Sequence, residues 1–372
     1  MILGIDPSTY FEVNAENPHF FYQGSEVEPL SLLHDHNGCH LMRIRLWVDP
    51  YDENRKPYHG GTNDWSAFLK LAKLGMSKGY TIMLDFHYSD FWCDPSKQTL
   101  PKSWQGLSVE EVTKKVYVYT RETLQKCLQN NLDIMYIQIG NEITNGMLWP
   151  FGYLDSNPKG GHRIGYDNLC AFLSSGVKAC REVMPKAKTI IHLERSGAKE
   201  LHQEFFDEIT SHNVDYDMIG LSYYPYWHGT FEMLFNNIEN LKSRYRKPIM
   251  IVETGYGFTL ESYIMNGNNG ANLIDEKFLK TTAYPVYVPY PLSLQGQKDF
   301  VEELLKRSQE HGVVGIVYWE PLWLPLPGLE WASKEGETYI HETQKSTSNE
   351  WANQCLFDYQ GRATPAFEAF KV

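Results

Sequence analysis

Leu41-Met-Arg-Ile-Arg-Leu-Trp-Val48 is an apolar run interrupted only by two arginines, and the residues that follow it decide the fold. Side chains alternate along a strand, so Arg43 and Arg45 share one face. Residues 64–78 then repeat apolar positions at helical spacing, with Asp64 placed as an N-cap and Gly79 as a stop. Residues 80–87 form a second apolar run. Strand, helix, strand in this order predicts a parallel crossover unit. The unit recurs, with strand candidates at 3–6, 41–48, 80–87, 134–140, 189–192, 218–223, 248–253 and 313–319. The clearest helical patterns are 64–78, 109–129, 166–184 and 295–311. Eight such strands predict an α/β chain folded as a single (β/α)8 TIM barrel over residues 1–372. Two connections are long, about 255–294 after strand 7 and 321–356 after strand 8. Connections that follow barrel strands build the functional face, so length there predicts binding walls.

Composition narrows the function. The 372 residues carry 34 basic and 46 acidic side chains, a formal charge of −12. Nucleic acids and anionic membranes both call for a basic surface, so neither is expected as a partner. No apolar run approaches the roughly 20 residues of a membrane span. The aromatic share is 14%, with ten tryptophans, and Trp and Tyr faces suit flat apolar ligands such as sugar rings. The six cysteines show no CxxC pair or zinc spacing. Cys170 and Cys180 fall in one helical stretch and lie about 15 Å apart, too far for a disulfide. Free thiols and the lack of a signal-like opening lead to an expectation of a cytoplasmic protein, with secretion after signal removal as the alternative.

The predicted strands end in polar or aromatic residues. Strand 2 carries Arg43, and strand 3 closes on Asp85-Phe-His87-Tyr-Ser-Asp90, with Trp92 beyond. Strand 4 ends Gln138-Ile-Gly-Asn141-Glu142. His192 ends strand 5, Tyr224 follows strand 6, Glu253 ends strand 7 and Trp319-Glu320 ends strand 8. A barrel gathers these ends at one face, which brings Glu142 and Glu253 together. A lone glutamate there is ordinarily a solvated cap; two on opposite sides of one barrel meet the requirement of glycoside hydrolysis for paired carboxylates.

Other clusters carry less. His34, Asp35, His36, Cys39 and His40 have metal-like composition but fall on the opposite, structural end of a barrel. The asparagine-rich run at 266–272 offers oxygen ligands for calcium without the acidic ligands of a strong site. No catalytic metal or cofactor is expected, and a structural calcium is left open. Dinucleotide, P-loop, zincin and nucleophile-elbow motifs do not occur.

Ordered along nearly the whole chain, these residues resemble glycoside hydrolase family 53, the endo-β-1,4-galactanases of the large retaining clan of (β/α)8 glycosidases. The resemblance rests on Arg43-Ile-Arg45-Leu-Trp-Val-Asp-Pro50, His87-Tyr-Ser-Asp90-Phe-Trp92, Gly140-Asn-Glu142 with Leu148-Trp-Pro150, Ser222-Tyr-Tyr224-Pro, Val252-Glu-Thr254 and Tyr318-Trp-Glu-Pro-Leu-Trp323. It implies Glu142 as general acid/base and Glu253 as nucleophile. Asn141 would bind the sugar 2-hydroxyl. Arg43 and Tyr224 would hydrogen-bond Glu253, and His87 and Trp319 would complete the site of the cleaved sugar. Trp92, Trp149 and Trp323 would be subsite platforms, with Asp90 and His192 among the substrate-binding residues. The acidic calcium loop that secreted bacterial relatives carry after strand 7 is missing from 255–294. At strand 5 the chain continues Glu194-Arg-Ser, where relatives commonly have Asp followed by Asn or Gly.

Beside Arg43, Glu253 is expected to have a lowered pKa, and Glu142 to stay protonated. The expected partner is β-1,4-galactan or galacto-oligosaccharides, acted on by a monomer. A mannanase, a xylanase-like enzyme and a non-catalytic carbohydrate-binding barrel are the competing readings.

Overall fold

In the computed structural model, residues 1–265, 268–269, 272–282, 285–340 and 349–370 are described, with only the backbone of 264, 265, 268 and 269. Eight strands close into a parallel barrel: β1 (Ile2–Asp6), β2 (Cys39–Leu46), β3 (Thr81–Phe86), β4 (Ile134–Ile139), β5 (Lys188–Leu193), β6 (Met218–Tyr223), β7 (Ile249–Thr254) and β8 (Gly315–Trp319). Each pairs with its sequence neighbours, and β1 closes the ring on β8 through Ile2↔Gly315 to Asp6↔Trp319.

Seven helices cross between the strands: α1 (Pro29–Asp35), α2 (Trp65–Ser77), α3 (Val109–Gln129), α4 (Tyr166–Val183), α5 (Lys199–Ser211), α6 (Phe231–Tyr245) and α7 (Leu294–Glu310). A final 3-10 turn, Pro365–Phe370, packs on α7. Their starts follow from capping chemistry, which satisfies otherwise unpaired first-turn N–H groups. Asp64 accepts from Ala67 N at the head of α2. Ser108 and Glu111 form a reciprocal capping box on α3. Ser293 accepts from Gly296 N, so α7 begins at Leu294, one residue before the predicted start.

The strand ends differ from the predicted runs for a similar reason. Trp47 and Val48 are as apolar as β2 itself, but their N–H groups leave the ladder for the Asn63 and Ser89 carbonyls. β2 therefore stops at Leu46 and the chain turns onto the barrel face.

Alternation divides the barrel interior into two zones. Outward residues of β2 such as Met42, Ile44 and Leu46 join the large core under the helices. Inward, a separate apolar cluster of Leu41, Met83, Ile190, Met250 and Val317 fills the lower barrel. Gly4 is required there, because a Cβ on it would lie 2.9 Å from both the Leu41 Cβ and its carbonyl oxygen. One step higher, the inward positions are charged or polar: Asp6, Arg43, Arg45, Asp85, Gln138 and His192, all buried. Burying so many ionisable groups is costly unless they are paired, which locates the chemistry at this end. The metal-like histidine cluster lies at the opposite end, where the His34 ring bonds Asp35 at 2.7 Å and His40 at 3.1 Å.

Candidate active site

Two arginines organise the upper barrel. Arg43 reaches Asp6 at 2.7 Å, Asp85 at 2.8 Å and Glu253 at 2.9 Å. Arg45 reaches Glu320 at 2.6 Å and Asp6 at 3.5 Å. Four carboxylates thus share two guanidinium groups, all of them at most slightly exposed. This corrects the expectation for Glu253. Burial pushes its carboxyl up, to about 7, while Arg43 pulls it down and Asp85 and Asp6 oppose that pull. A guanidinium divided among three carboxylates does not offset the loss of water around any one of them.

Glu142 follows Gly140 (φ 82°) and Asn141 at the end of β4, and itself has a left-handed backbone (φ 49°). Such a conformation is uncommon outside glycine and tends to occur where a side chain must be aimed. Ser222 Oγ donates to Glu142 Oε1 at 2.6 Å, and His192 Nε2 lies 2.8 Å from Ser222 Oγ. With its one proton given to Glu142, the Ser222 hydroxyl accepts from His192 Nε2–H. Burial holds His192 neutral, with its pKa well below the usual range. The Glu142 carboxyl is pushed well above the carboxylate range, first by desolvation, then by the facing charges of Glu253 and Glu194.

An oxygen of Glu142, an oxygen of Glu253 and a His192 nitrogen all lie within 4.8 Å of one another. Such a trio does not suit a metal here, because His192 Nε2 donates to Ser222, its Nδ1 accepts from Gln138 Nε2 and the Glu142 N–H, and Glu253 is paired with Arg43. Tyr224 donates its hydroxyl to the other Glu253 oxygen at 3.2 Å. His87 accepts at Nδ1 from Trp47 Nε1 and Cys93 N, so its Nε2 carries the proton toward Asp85 at 3.0 Å.

Above the carboxyls opens a cavity of about 730 Å³. Seven of the predicted site residues line it: His87, Trp92, Asn141, Glu142, Tyr224, Glu253 and Trp319. Asn141 has one amide hydrogen bonded to the Cys93 carbonyl, and its side-chain oxygen accepts from Arg43. Five others do not line it. Arg43 and His192 are wholly buried beneath it and act on Glu253 and on Ser222. Asp90 is buried against Lys102 at 3.0 Å and the Asp49 N–H and does not line the cavity. Trp323 is fully buried behind the wall, stacked on Trp331 with ring centres 5.8 Å apart. Trp149 borders a separate, smaller hollow of about 360 Å³ with Thr99, Leu100 and Phe151.

Two further wall tryptophans were not picked out from the sequence. Trp331 stacks on Trp92 at 4.5 Å, nearly parallel, and Trp351 meets Trp319 edge-on at 4.6 Å. Arg45 lies 4.4 Å over the Trp92 ring, a cation–π contact that fixes the indole. Trp331 and Trp351 come from the long connection after β8, whose length was the available signal. Glu194 and Arg195, directly after β5, also line the cavity. The asparagine-rich run lies outside the described residues apart from a short backbone stretch and Asn272, whose side-chain oxygen accepts from the Tyr359 hydroxyl.

The family model described as Glycosyl hydrolase family 53 matches residues 2–370. The chain is 30% identical to the endo-beta-1,4-galactanase of Bacillus subtilis (strain 168), over 100% of this chain and 85% of that protein. It is 31% identical to a probable arabinogalactan endo-beta-1,4-galactanase A of Neosartorya fischeri, over 82% of this chain and 79% of that protein. Among solved structures, the Ignisphaera aggregans GH53 catalytic domain superposes with a TM-score of 0.85 at 34% identity, covering 100% of this chain and 95% of that one.

Proposed function

The chain belongs to glycosyl hydrolase family 53, and from that premise we propose that it cleaves internal β-1,4-galactosidic bonds of galactan or type I arabinogalactan with retention. Glu142 is the general acid/base and Glu253 the nucleophile. The observation that carries the mechanism is the close approach of the two carboxyls, one oxygen of each lying within 4.8 Å of the other. Retaining glycosidases hold their carboxyls about 5–5.5 Å apart, and inverting ones about 6.5–9.5 Å, to admit a water.

Which carboxyl keeps the proton follows from their surroundings. At this separation they titrate as a pair. A single shared proton belongs on Glu142, because Arg43 and Tyr224 both stabilise a negative Glu253, whereas Glu142 has the Ser222 hydroxyl as donor and the carboxyls of Glu253, Glu194 and Asp94 opposing its charge. Glu253 then attacks the anomeric carbon while Glu142 protonates the departing oxygen. Once Glu253 is an ester its charge is gone, and one cause of the raised Glu142 pKa goes with it. Glu142 is thereby suited to take a proton from the water that releases the sugar. The aromatic wall of Trp92, Trp319, Trp331 and Trp351 supplies stacking faces for sugar rings.

The test is a screen on galactan, mannan and xylan, with the product anomer followed by NMR. Galactan should be preferred and the β-anomer should appear first. Preference for mannan or xylan would overturn the substrate assignment, and an initial α-anomer the mechanism.

A further inference from the structure

Around the ring, β8, β1, β2 and β3 form one half, which carries the tryptophan wall and the two buried arginines. β5 and β6 lie across the mouth from it. Glu194 and Arg195 follow β5 directly. In a regular strand, consecutive side chains point to opposite faces. Arg195 instead has a left-handed backbone (φ 53°), and both residues line the cavity.

Glu194 is only 1% exposed, and neither of its carboxylate oxygens receives a hydrogen bond. Its direct partner is the neighbouring guanidinium, with Arg195 Nε 3.2 Å from Oε1. The Thr144 hydroxyl lies buried beside it, near enough to favour the carboxylate but outside hydrogen-bond geometry. Burial pushes the Glu194 carboxyl up to about 7, against the combined pull of Thr144, Arg195 and nearby backbone amides. Buried acceptors are nearly always satisfied, and those that are not need an explanation. The catalytic carboxyls are held by Arg43, Tyr224 and Ser222; among the described residues Glu194 is held by the adjacent Arg195 alone, and its charge bears on Glu142.

The geometry points to Glu194, held by Arg195, as the acceptor for hydroxyl groups of the sugar that leaves, on the far side of the cleaved bond from Glu253. This rests on the glycosidase reading above. The departing oxygen takes its proton from Glu142, so the leaving sugar lies against Glu142, within the part of the cavity that Glu194 and Arg195 wall. Sugar hydroxyls would supply the missing donors, and the partly exposed guanidinium would bond ring substituents as it fixes the carboxylate. The pair would thus favour a leaving group that is itself a sugar.

The experiment is the ratio of kcat/KM on galactotetraose to kcat/KM on an aryl β-galactobioside, whose leaving group carries no sugar hydroxyls. It is measured for the wild type, Glu194→Gln and Arg195→Ala. Glu194→Gln should lower the ratio about ten-fold, the effect of losing a hydrogen bond to a charged acceptor. Arg195→Ala, a change at a partly exposed position that leaves folding intact, should lower it about three-fold. Partial misfolding cancels from the ratio. An active wild type whose ratio neither substitution moves overturns this proposal alone. A wild type that cleaves neither galactoside overturns the galactanase reading and this proposal with it.

Discussion

Among the described residues the Ser222 hydroxyl is the donor that holds the Glu142 carboxylate, at 2.6 Å, and it favours the ionised form. Ser222→Ala should therefore move the upper limb of the kcat/KM pH profile to higher pH and lower kcat about ten-fold, since a hydrogen bond to a charged group is lost. A limb that stays in place would separate Ser222 from the titration of Glu142. At this scale the sequence was informative where a residue ends a strand and faces inward: Glu142, Glu253, His87, Asn141 and Trp319 all reach the cavity. It could not distinguish residues that touch the cavity from those one layer below. Arg43 and His192 face the barrel interior as predicted, but the carboxyl and amide groups above them close over their side chains. Asp90 has the polarity of a ligand-binding residue, yet pairs with Lys102, which no local pattern foretold. The lowered pKa expected for Glu253 failed because the competition of Asp6 and Asp85 for Arg43 is a property of the closed ring.

Elements were more legible than individual contacts. All eight strands lie where apolar runs end in polar residues, and α3 has the predicted bounds, because a capping box marks its start. Ser108→Ala, far from the cavity, should cost about 1 kcal/mol, seen as a lower urea midpoint with kcat/KM unchanged at 25 °C. Equal stability would mean that Glu111 and water satisfy the helix end without the serine. The connections after β7 and β8 announced themselves by length alone. Nothing local to Trp331 or Trp351 shows that they return to the barrel mouth, since their positions depend on contacts with Trp92 and Trp319, over 200 and about 30 residues away in sequence.

At the scale of the whole molecule, the barrel buries carboxyls whose pKa is raised and histidines whose pKa is lowered. Glu142, Glu194, Glu253 and Glu320 are pushed up; His192, His202 and His228 are pushed down. The two sets act oppositely on stability. A carboxyl with a raised folded pKa binds more protons folded than unfolded, so stability falls as pH rises from the unfolded value through the folded one. A histidine with a lowered folded pKa loses stability as pH falls from about 6.5. One group is isolated by comparing a variant with the wild type. Glu142→Gln should abolish hydrolysis of unactivated galactan yet gain stability over the wild type by urea denaturation as pH rises above the ordinary carboxylate range. A pH-independent difference would contradict the raised pKa. The most direct test of the account is to trap its covalent intermediate. The chain is incubated with a 2-deoxy-2-fluoro-galactobiosyl fluoride, and intact mass and peptide mapping locate the adduct. One glycosyl group per chain on Glu253 is the predicted result; no adduct, or an adduct on Glu142, would contradict a retaining mechanism with these roles.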